Sequence, residues 1–474
     1  MTVHSKYKQH NQIHWLGLGI LFIAAFMTIF DLFVVNVAIP DIRQNLHAGL
    51  VQSGYVIAGY ELSFASFLIL AGRLGDRYGR RRIFVWGMWL FVVSSLFCGL
   101  APGIWILISA RMIQGISSAL LLPQVYSSIR INIADTKRAQ VFSVLGTVLG
   151  LAAVAGQVLG GWLIHLNIYS LSWRIIFLIN IPVGVLAISF AKQIPESIAS
   201  EKLTLDIRGV ILFSIGLSLL LLAVMEGASL HGSVWIMISI VTGITLLSLF
   251  VIHQKHLRLA GKDPLIDFSL FRDSWIMTGM VLVFLIYSTS ASFFLSYSLF
   301  VQTGLGVDAF LSGMIFAPTS VAFIMGSLIA PRLVSRWGTG AMAVMALLYL
   351  FGFSWLGGQI YFRGEQFQAN ELIPALVVTG LAQGMLMTPL LNMILNFVSH
   401  QNAGMASGML STLQQIGAAV GVAVISIIWS GEENGRINTV LQRNYYAERF
   451  VNAMVYELLT MLLVILLLLW LRRR

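Results

Sequence analysis

Fourteen largely apolar runs follow one another along the chain, each bounded by charged or turn-forming residues. They lie near 15–38, 51–71, 83–100, 104–128, 140–164, 174–193, 207–226, 233–253, 276–301, 309–330, 341–360, 371–398, 404–430 and 451–471. A bilayer is crossed by about 20 residues of helix. Runs of this length at this frequency predict an all-α polytopic membrane protein with about 14 transmembrane helices. A water-soluble globule is excluded, since 58% of the residues are hydrophobic and only 10% are charged. Lys6 and Lys8 precede the first run as they would in a signal peptide. That run continues to Ala38, contains Asp31 and has no small-residue cleavage site, so it reads as a retained span.

Charge orients the spans. The stretch Gly72–Arg82 holds five arginines and one aspartate between the second and third runs, which places it on the cytoplasmic face. With that loop inside, 22 of the 29 Lys and Arg fall on cytoplasmic segments. Arg43, Arg174, Arg363, Arg436, Arg443 and Arg449 fall outside, and Arg111 is left within a span. Both termini are then cytoplasmic, in a cell (plasma or inner) membrane. The formal charge of +10 is the loop excess of a membrane protein and calls for no nucleic acid. One cysteine, Cys98, excludes an intramolecular disulfide and a cysteine-cluster metal site. The nine histidines form no ligand-spaced cluster, and His253 with His256 reads as a headgroup-facing pair, so no metal is expected.

The basic stretch also has a partner. Arg73-Leu74-x-x-Arg77-Tyr78-Gly79 recurs as Arg332-Leu333-x-x-Arg336-Trp337-Gly338, each between the second and third spans of a six-span block. Ser335 replaces Asp76, and Thr339-Gly340 replaces Arg80-Arg81. The three glycines of the first copy predict tight turns. The expected division is a six-helix bundle over 1–193, a linker with two accessory helices over 194–275, and a second six-helix bundle over 276–474. Duplicated bundles facing one another are the usual build of secondary transporters.

Ionisable residues inside a membrane are costly and mark function by default. Asp31 lies nine residues from Pro40 and Arg111 seven residues into its span, which puts both at similar depth, about 10–14 Å, where they could pair. Glu61, about 15 Å deep, is in line with Gly54, Ala58 and Ala65. Arg111 shares its face with Gln114, Gly115 and Ser118. A static ion pair is one account of Asp31 and Arg111. Proton exchange is the other, since burial favours the neutral acid while the arginine favours the carboxylate. The second bundle shows no deep acid, and Glu457 is read as snorkelling to the outer surface. Its polar residues are neutral, Tyr287, Tyr297, Asn392, Asn396 and Gln414 among them. They are candidates, with Glu61 and Gln114, for a substrate cavity, or else for hydrogen bonds between helices. Gly146, Gly150, Gly156, Gln157, Gly160 and Gly161 form a small-residue seam in the fifth span, suited to close packing or to rocking of the bundles.

These residues resemble a known family. Gly72-Arg73-Leu74-Gly75-Asp76-Arg77-Tyr78-Gly79-Arg80-Arg81 is similar to the loop signature of the major facilitator superfamily. Asp31–Pro40 resembles the first-helix motif of its fourteen-helix drug:proton antiporter branch, the EmrB/QacA type. Arg111–Gly115 resembles its fourth-helix motif and Trp173–Gly184 its sixth-helix signature. Stretches 302–318 and 403–424 are also similar, so nearly the whole chain is covered. The resemblance implies alternating access, with Asp31 and Arg111 in proton coupling and Gly72, Asp76, Arg77, Gly79, Arg80 and Arg81 in gating. It departs where Gln157 takes the place of a proline in the antiporter motif, Phe33 that of a threonine, and Glu61 that of an uncharged residue.

The expected function is a proton-coupled secondary transporter exporting amphipathic small molecules, with cationic ones as candidates. A symporter of the same fold is the alternative, and a transport-inactive sensor or scaffold is a reading from another class. No reaction centre is visible, so an enzyme is not expected. The proton gradient is the energy source, with no cofactor. The partners are the lipid bilayer, a small-molecule substrate and protons, and the protein is expected to be a monomer.

Overall fold

The structure, a computed structural model, describes residues 14–167, 171–197, 206–226, 234–262, 264–266, 274–363, 367–396, 403–429 and 439–473. The helices are α1 Trp15–Leu46, α2 Leu50–Tyr78, α3 Arg80–Gly99, α4 Ile104–Asn132, α5 Asp135–Leu166, α6 Ile175–Leu178, α7 Asn180–Phe190, α8 Ile207–Glu226 and α9 Val234–Leu259. They continue as α10 Ser274–Ser298, α11 Ala309–Trp337, α12 Thr339–Arg363, α13 Ile373–Asn396, α14 Ala403–Trp429 and α15 Thr439–Arg473. Among the described residues there is no strand. Among the described residues twelve helices are long and apolar enough to span a bilayer, α6 and α7 counting together, and α2 makes a thirteenth despite a 48° bend. The apolar part of α8, Ile207–Ala223, is shorter. Large apolar side chains such as Phe97, Val241, Leu328 and Leu466 are more than half exposed, as lipid-facing residues are. The chain is a multi-pass membrane protein.

Glycines let the helices meet. On α4, Gly115 lies against the Tyr60 carbonyl so closely that a Cβ would overlap it. The same holds between α5 and α11, where Gly161 meets the Ala309 carbonyl and Gly313 the Gln157 carbonyl. Within the first bundle α4 packs on α2 and α3, and α5 on α1. In the second, α11 packs on α13, α10 on α14, and α12 on α15. The bundles join through α2 against α14 and α5 against α11, and the α8–α9 hairpin leans on α2 and α14.

The face carrying the α2–α3 turn is termed the basic face. On the opposite, far face a seam between the bundles is closed. Ser298 Oγ donates to the Asn36 carbonyl (2.7 Å), and Gln302 Nε2, on a π-helical turn that extends α10, donates to the Val37 carbonyl (3.0 Å). The Phe33 and Phe294 rings meet edge to face at 5.2 Å.

Three expectations are corrected. The basic stretch is not a looped hairpin with three turning glycines. Helix α2 runs through it to Tyr78 and α3 starts at Arg80, so the turn is Gly79 alone, at φ +103°. The apolar run to Ala71 hid this, because hydropathy ends where helix emerges from lipid. Likewise α15 begins at Thr439, not 451. Its first turns are too polar to register as a span, yet they bury Tyr446 and Phe450. Glu457 therefore sits mid-helix, fully buried, and does not snorkel. His253 does not face headgroups: its Nε2 lies 2.8 Å from Asp206 Oδ1 at the start of α8. Burial opposes charge on Asp206. Hydrogen bonds from the Gly209 N–H, His253 and Gln254 outweigh it and hold the carboxyl below the usual range.

Candidate functional site

Asp31 and Arg111 form an ion pair with both side chains fully buried. Asp31 sits on α1 between Phe30 and Val34, both turned inward. Gly115 brings α4 close enough to α2 for Arg111 to reach across. Arg111 Nε donates to the Val56 carbonyl on α2 (3.2 Å), and its Nη1 also donates to Gln114 Oε1 (2.7 Å). Its guanidinium lies 4.2 Å from the centre of the Tyr60 ring, a cation–π contact that compensates for Nη2, which has no hydrogen-bond partner among the described residues. The Tyr60 hydroxyl donates to Ser118 Oγ (2.7 Å), which holds the ring in place.

Two amides complete the shell. Gln114 Nε2 donates to Asp31 Oδ1 (2.9 Å) and to Ser95 Oγ on α3 (2.8 Å). Asn180 Nδ2 donates to Asp31 Oδ1 (3.0 Å). The carboxylate on α1 accepts from a guanidinium and two amides carried by α4 and α7, and α2 and α3 hold those donors in place. Such a site holds charge while the donors stay and favours a proton when they leave. Gln114, expected in a substrate cavity, belongs to this shell instead. Asn180 and Ser95 were missed as site residues. The signal available was a lone amide just after the break between α6 and α7, in an otherwise apolar span.

Glu61 is 4% exposed, and no hydrogen bond or ion pair links it to Asp31 or Arg111 among the described residues. Its Oε2 has no partner there. Tyr297, buried, donates to the Ser312 carbonyl (2.7 Å) and packs on Phe316, which makes it a structural tie from α10 to α11. Tyr287 and Gln414 are half-buried, and Tyr287 is within electrostatic reach of Tyr126 on α4, in the other bundle. The side chains of Asn392 and Asn396 lie outside the described residues.

The turn at Gly79 is clasped from outside its own hairpin. Asp76 pairs with Arg80 across it. The Arg80 N–H donates to the Ser197 carbonyl (3.1 Å) and the Arg81 N–H to Glu196 Oε1 (3.0 Å), so the segment leaving α7 satisfies the first amides of α3. Arg81 Nε lies 3.6 Å from Glu196 Oε2. Arg73 donates to the Pro264 carbonyl after α9. Arg77 stacks on Tyr78, 5.3 Å from the ring centre. Of the flanking glycines, Gly75 lies against Gln124, which donates to the Ala71 carbonyl (2.8 Å), and Gly72 faces Pro123. The expected α5 seam divides. Gly156 and Gly160 face α1, while Gly161 and the backbone of Gln157 face α11. Gly150 makes ordinary contact with Ile324, and Gly146 meets nothing within 4 Å and is no part of a close seam.

A helical membrane protein with a buried acid–arginine cluster and a repeated one-residue turn has the build of a secondary transporter. The family model for the Major Facilitator Superfamily matches residues 21–422, and the chain belongs to that superfamily. It is 33% identical over 423 residues to a probable actinorhodin transporter of Streptomyces coelicolor, covering 88% of this chain and 72% of that protein. It is 29% identical over 425 residues to the puromycin resistance protein pur8 of Streptomyces alboniger, covering 88% and 82%. Among solved structures, a bacterial homologue of the human lysosomal transporter Spinster matches with a TM-score of 0.68 at 14% identity, over 95% of each chain. That likeness is one of fold.

Proposed function

We propose that this transporter is a proton-coupled exporter of amphipathic, cationic or neutral small molecules, working by alternating access. The observation that carries the reading is the Asp31 shell, in which one carboxylate is held by donors from α4 and α7. Displacing α1 against α4 and α7 removes those donors and leaves a buried carboxylate that takes a proton. Restoring them expels it. The names of the relatives, an actinorhodin transporter and a puromycin resistance protein, support the substrate class. The excess of Lys and Arg on the basic face supports a cytoplasmic position for it, in a cell membrane. The proton gradient would drive transport without a cofactor or a chemical reaction.

Everted vesicles test this. Accumulation of puromycin or tetraphenylphosphonium should collapse when the pH gradient is discharged. Asp31→Asn should cut gradient-driven uptake about tenfold or more while leaving downhill exchange measurable. Wild-type-like active transport by Asp31→Asn would overturn the assignment. A second reading, import by symport, draws on Gln157, which replaces a proline of the antiporter motif within the unbroken helix α5. Growth of a deletion strain on single nutrients, against its drug susceptibility, separates the two.

A further inference from the structure

The second bundle has a buried acid of its own, and it is held quite differently. Glu457 lies midway along α15, 14 residues after Arg443 and 15 before Arg472, the limits of its spanning stretch. Its side chain is fully buried. No cation can reach it from the helices it packs among. Helices α10, α13 and α14 carry no charged residue at all, and α12 carries only Arg363, at its end. Among the described residues the titratable neighbours are Tyr349 on α12 and Tyr456 on its own helix. An ionised carboxylate placed there would be buried without a compensating charge.

Proton accounting is consistent with a neutral acid. Ser292 Oγ on α10 is in hydrogen-bond contact with Glu457 Oε1. The same hydroxyl stands 3.0 Å from the Thr289 carbonyl, an acceptor with no proton of its own. A serine has one hydroxyl proton to give. If it goes to the carbonyl, the contact with Glu457 must be closed by a proton on the glutamic acid. The other oxygen, Oε2, is buried with no partner among the described residues. Ser292 is also the middle of a row. Ser288, Ser292 and Ser296 stand at i, i+4 and i+8 on one face of α10, all buried. Ser288 Oγ lies 2.6 Å from the Tyr456 hydroxyl, and Ser296 Oγ is buried without a partner among the described residues. The row leads from Glu457 toward the far face, where Ser298 meets the Asn36 carbonyl.

We infer that Glu457 is a second proton-carrying site, neutral in this state and bridged to Ser292, that exchanges its proton along the hydroxyl row as α10 and α15 part. The exchange rests on the proton-coupled reading above; the protonation does not. Only a proton moves: the O–H bond of Glu457 breaks, and the carboxylate is left to water admitted between the helices.

Infrared spectra of the full-length protein in lipid nanodiscs test the first half. Wild type minus Glu457→Gln at neutral pH should show the carbonyl band of a protonated carboxyl, shifted in D2O. Carboxylate bands in its place overturn the proposal. Ser292→Ala should move that carbonyl band to higher frequency, and an unmoved band overturns the bridge even if Glu457→Gln fails to fold. The second half is read in proteoliposomes, where the number of protons exchanged per tetraphenylphosphonium should fall by about one in Glu457→Gln, with transport retained. An unchanged ratio against a coupled wild type overturns exchange at Glu457 alone. A wild type indifferent to the pH gradient overturns the coupling reading itself, and the infrared result still decides whether Glu457 holds a proton.

Discussion

The two halves of the chain carry a matching one-residue turn, and they treat buried charge in opposite ways. In the first, Asp31 faces Arg111, and the shell is closed by Gln114, Asn180 and Tyr60. In the second, Glu457 has no cation and is met by a serine and two tyrosines. The turns on the basic face differ likewise. Gly79 is bracketed by the Asp76–Arg80 pair and clasped by Glu196 and Ser197. Gly338, at φ +56°, has Ser335 bonded back to its own helix at the Arg332 carbonyl (2.9 Å) and nothing within 4 Å of where a Cβ would be. The two turns thus share their glycine and differ in the charges around it. Charged, multiply held groups respond sharply to small displacements. A carboxyl met by a single hydroxyl has fewer contacts to lose.

The largest effect expected comes from breaking the ion pair on one side only. Arg111→Leu leaves Asp31 buried without its cation and should destabilise the protein by about 3–5 kcal/mol, read as a fall in thermal unfolding midpoint in detergent. Adding Asp31→Asn should restore much of that loss without restoring coupled transport. If the single and double variants unfold alike, the pair is not what the carboxylate depends on, and the contrast with Glu457 collapses.

Much of this contrast was visible in the sequence, unevenly. Asp31 and Arg111 stood out because each is a charge in an apolar run, and depth counting along two helices placed them level. Asn180 did not, because an amide in a span usually ties helices together and nothing local marks which acid it will meet. Glu457 was misjudged for a different reason. Hydropathy measures the lipid-compatible part of a helix, and α15 starts 12 residues earlier in a polar amphipathic stretch. An acid in the middle of a helix was thereby counted as near its end. The basic turn was mistaken in the same way, since a helix leaving the membrane loses its apolar signature and keeps its hydrogen bonds. The match of Arg73–Gly79 with Arg332–Gly338 needed no hydropathy: it placed both connections, though not the single glycine at which each one turns.

The next effect in size contrasts those two glycines. Alanine at either position is forced into a backbone conformation that costs about 1–3 kcal/mol. At Gly79 the added methyl also runs into the Glu196 carboxylate, which accepts the Arg81 N–H. Gly79→Ala should therefore lower the unfolding midpoint further than Gly338→Ala and slow transport more. Equal losses would mean that the clasp by Glu196 adds nothing to the turn.

The smallest effects are on stability and the most informative on rate. Asp76 is 28% exposed, so its pair with Arg80 contributes only about 1 kcal/mol or less to stability. Yet the pair spans the turn between the helix that contacts α14 and the helix anchored to the segment after α7. Asp76→Asn should slow the switch between states several-fold in a counterflow assay while substrate binding, read by fluorescence quenching, is kept. Ser335→Ala, which removes a bond within one helix turn, should be nearly silent. The sharper experiment transfers the charge: Ser335→Asp with Thr339→Arg would build the i, i+4 pair across Gly338. If charge at the turn governs switching, this double variant should change the rate while Ser335→Ala does not. If instead Asp76→Asn abolishes binding and leaves switching intact, the turn serves the substrate site rather than the movement, and the division of labour between the bundles must be drawn elsewhere.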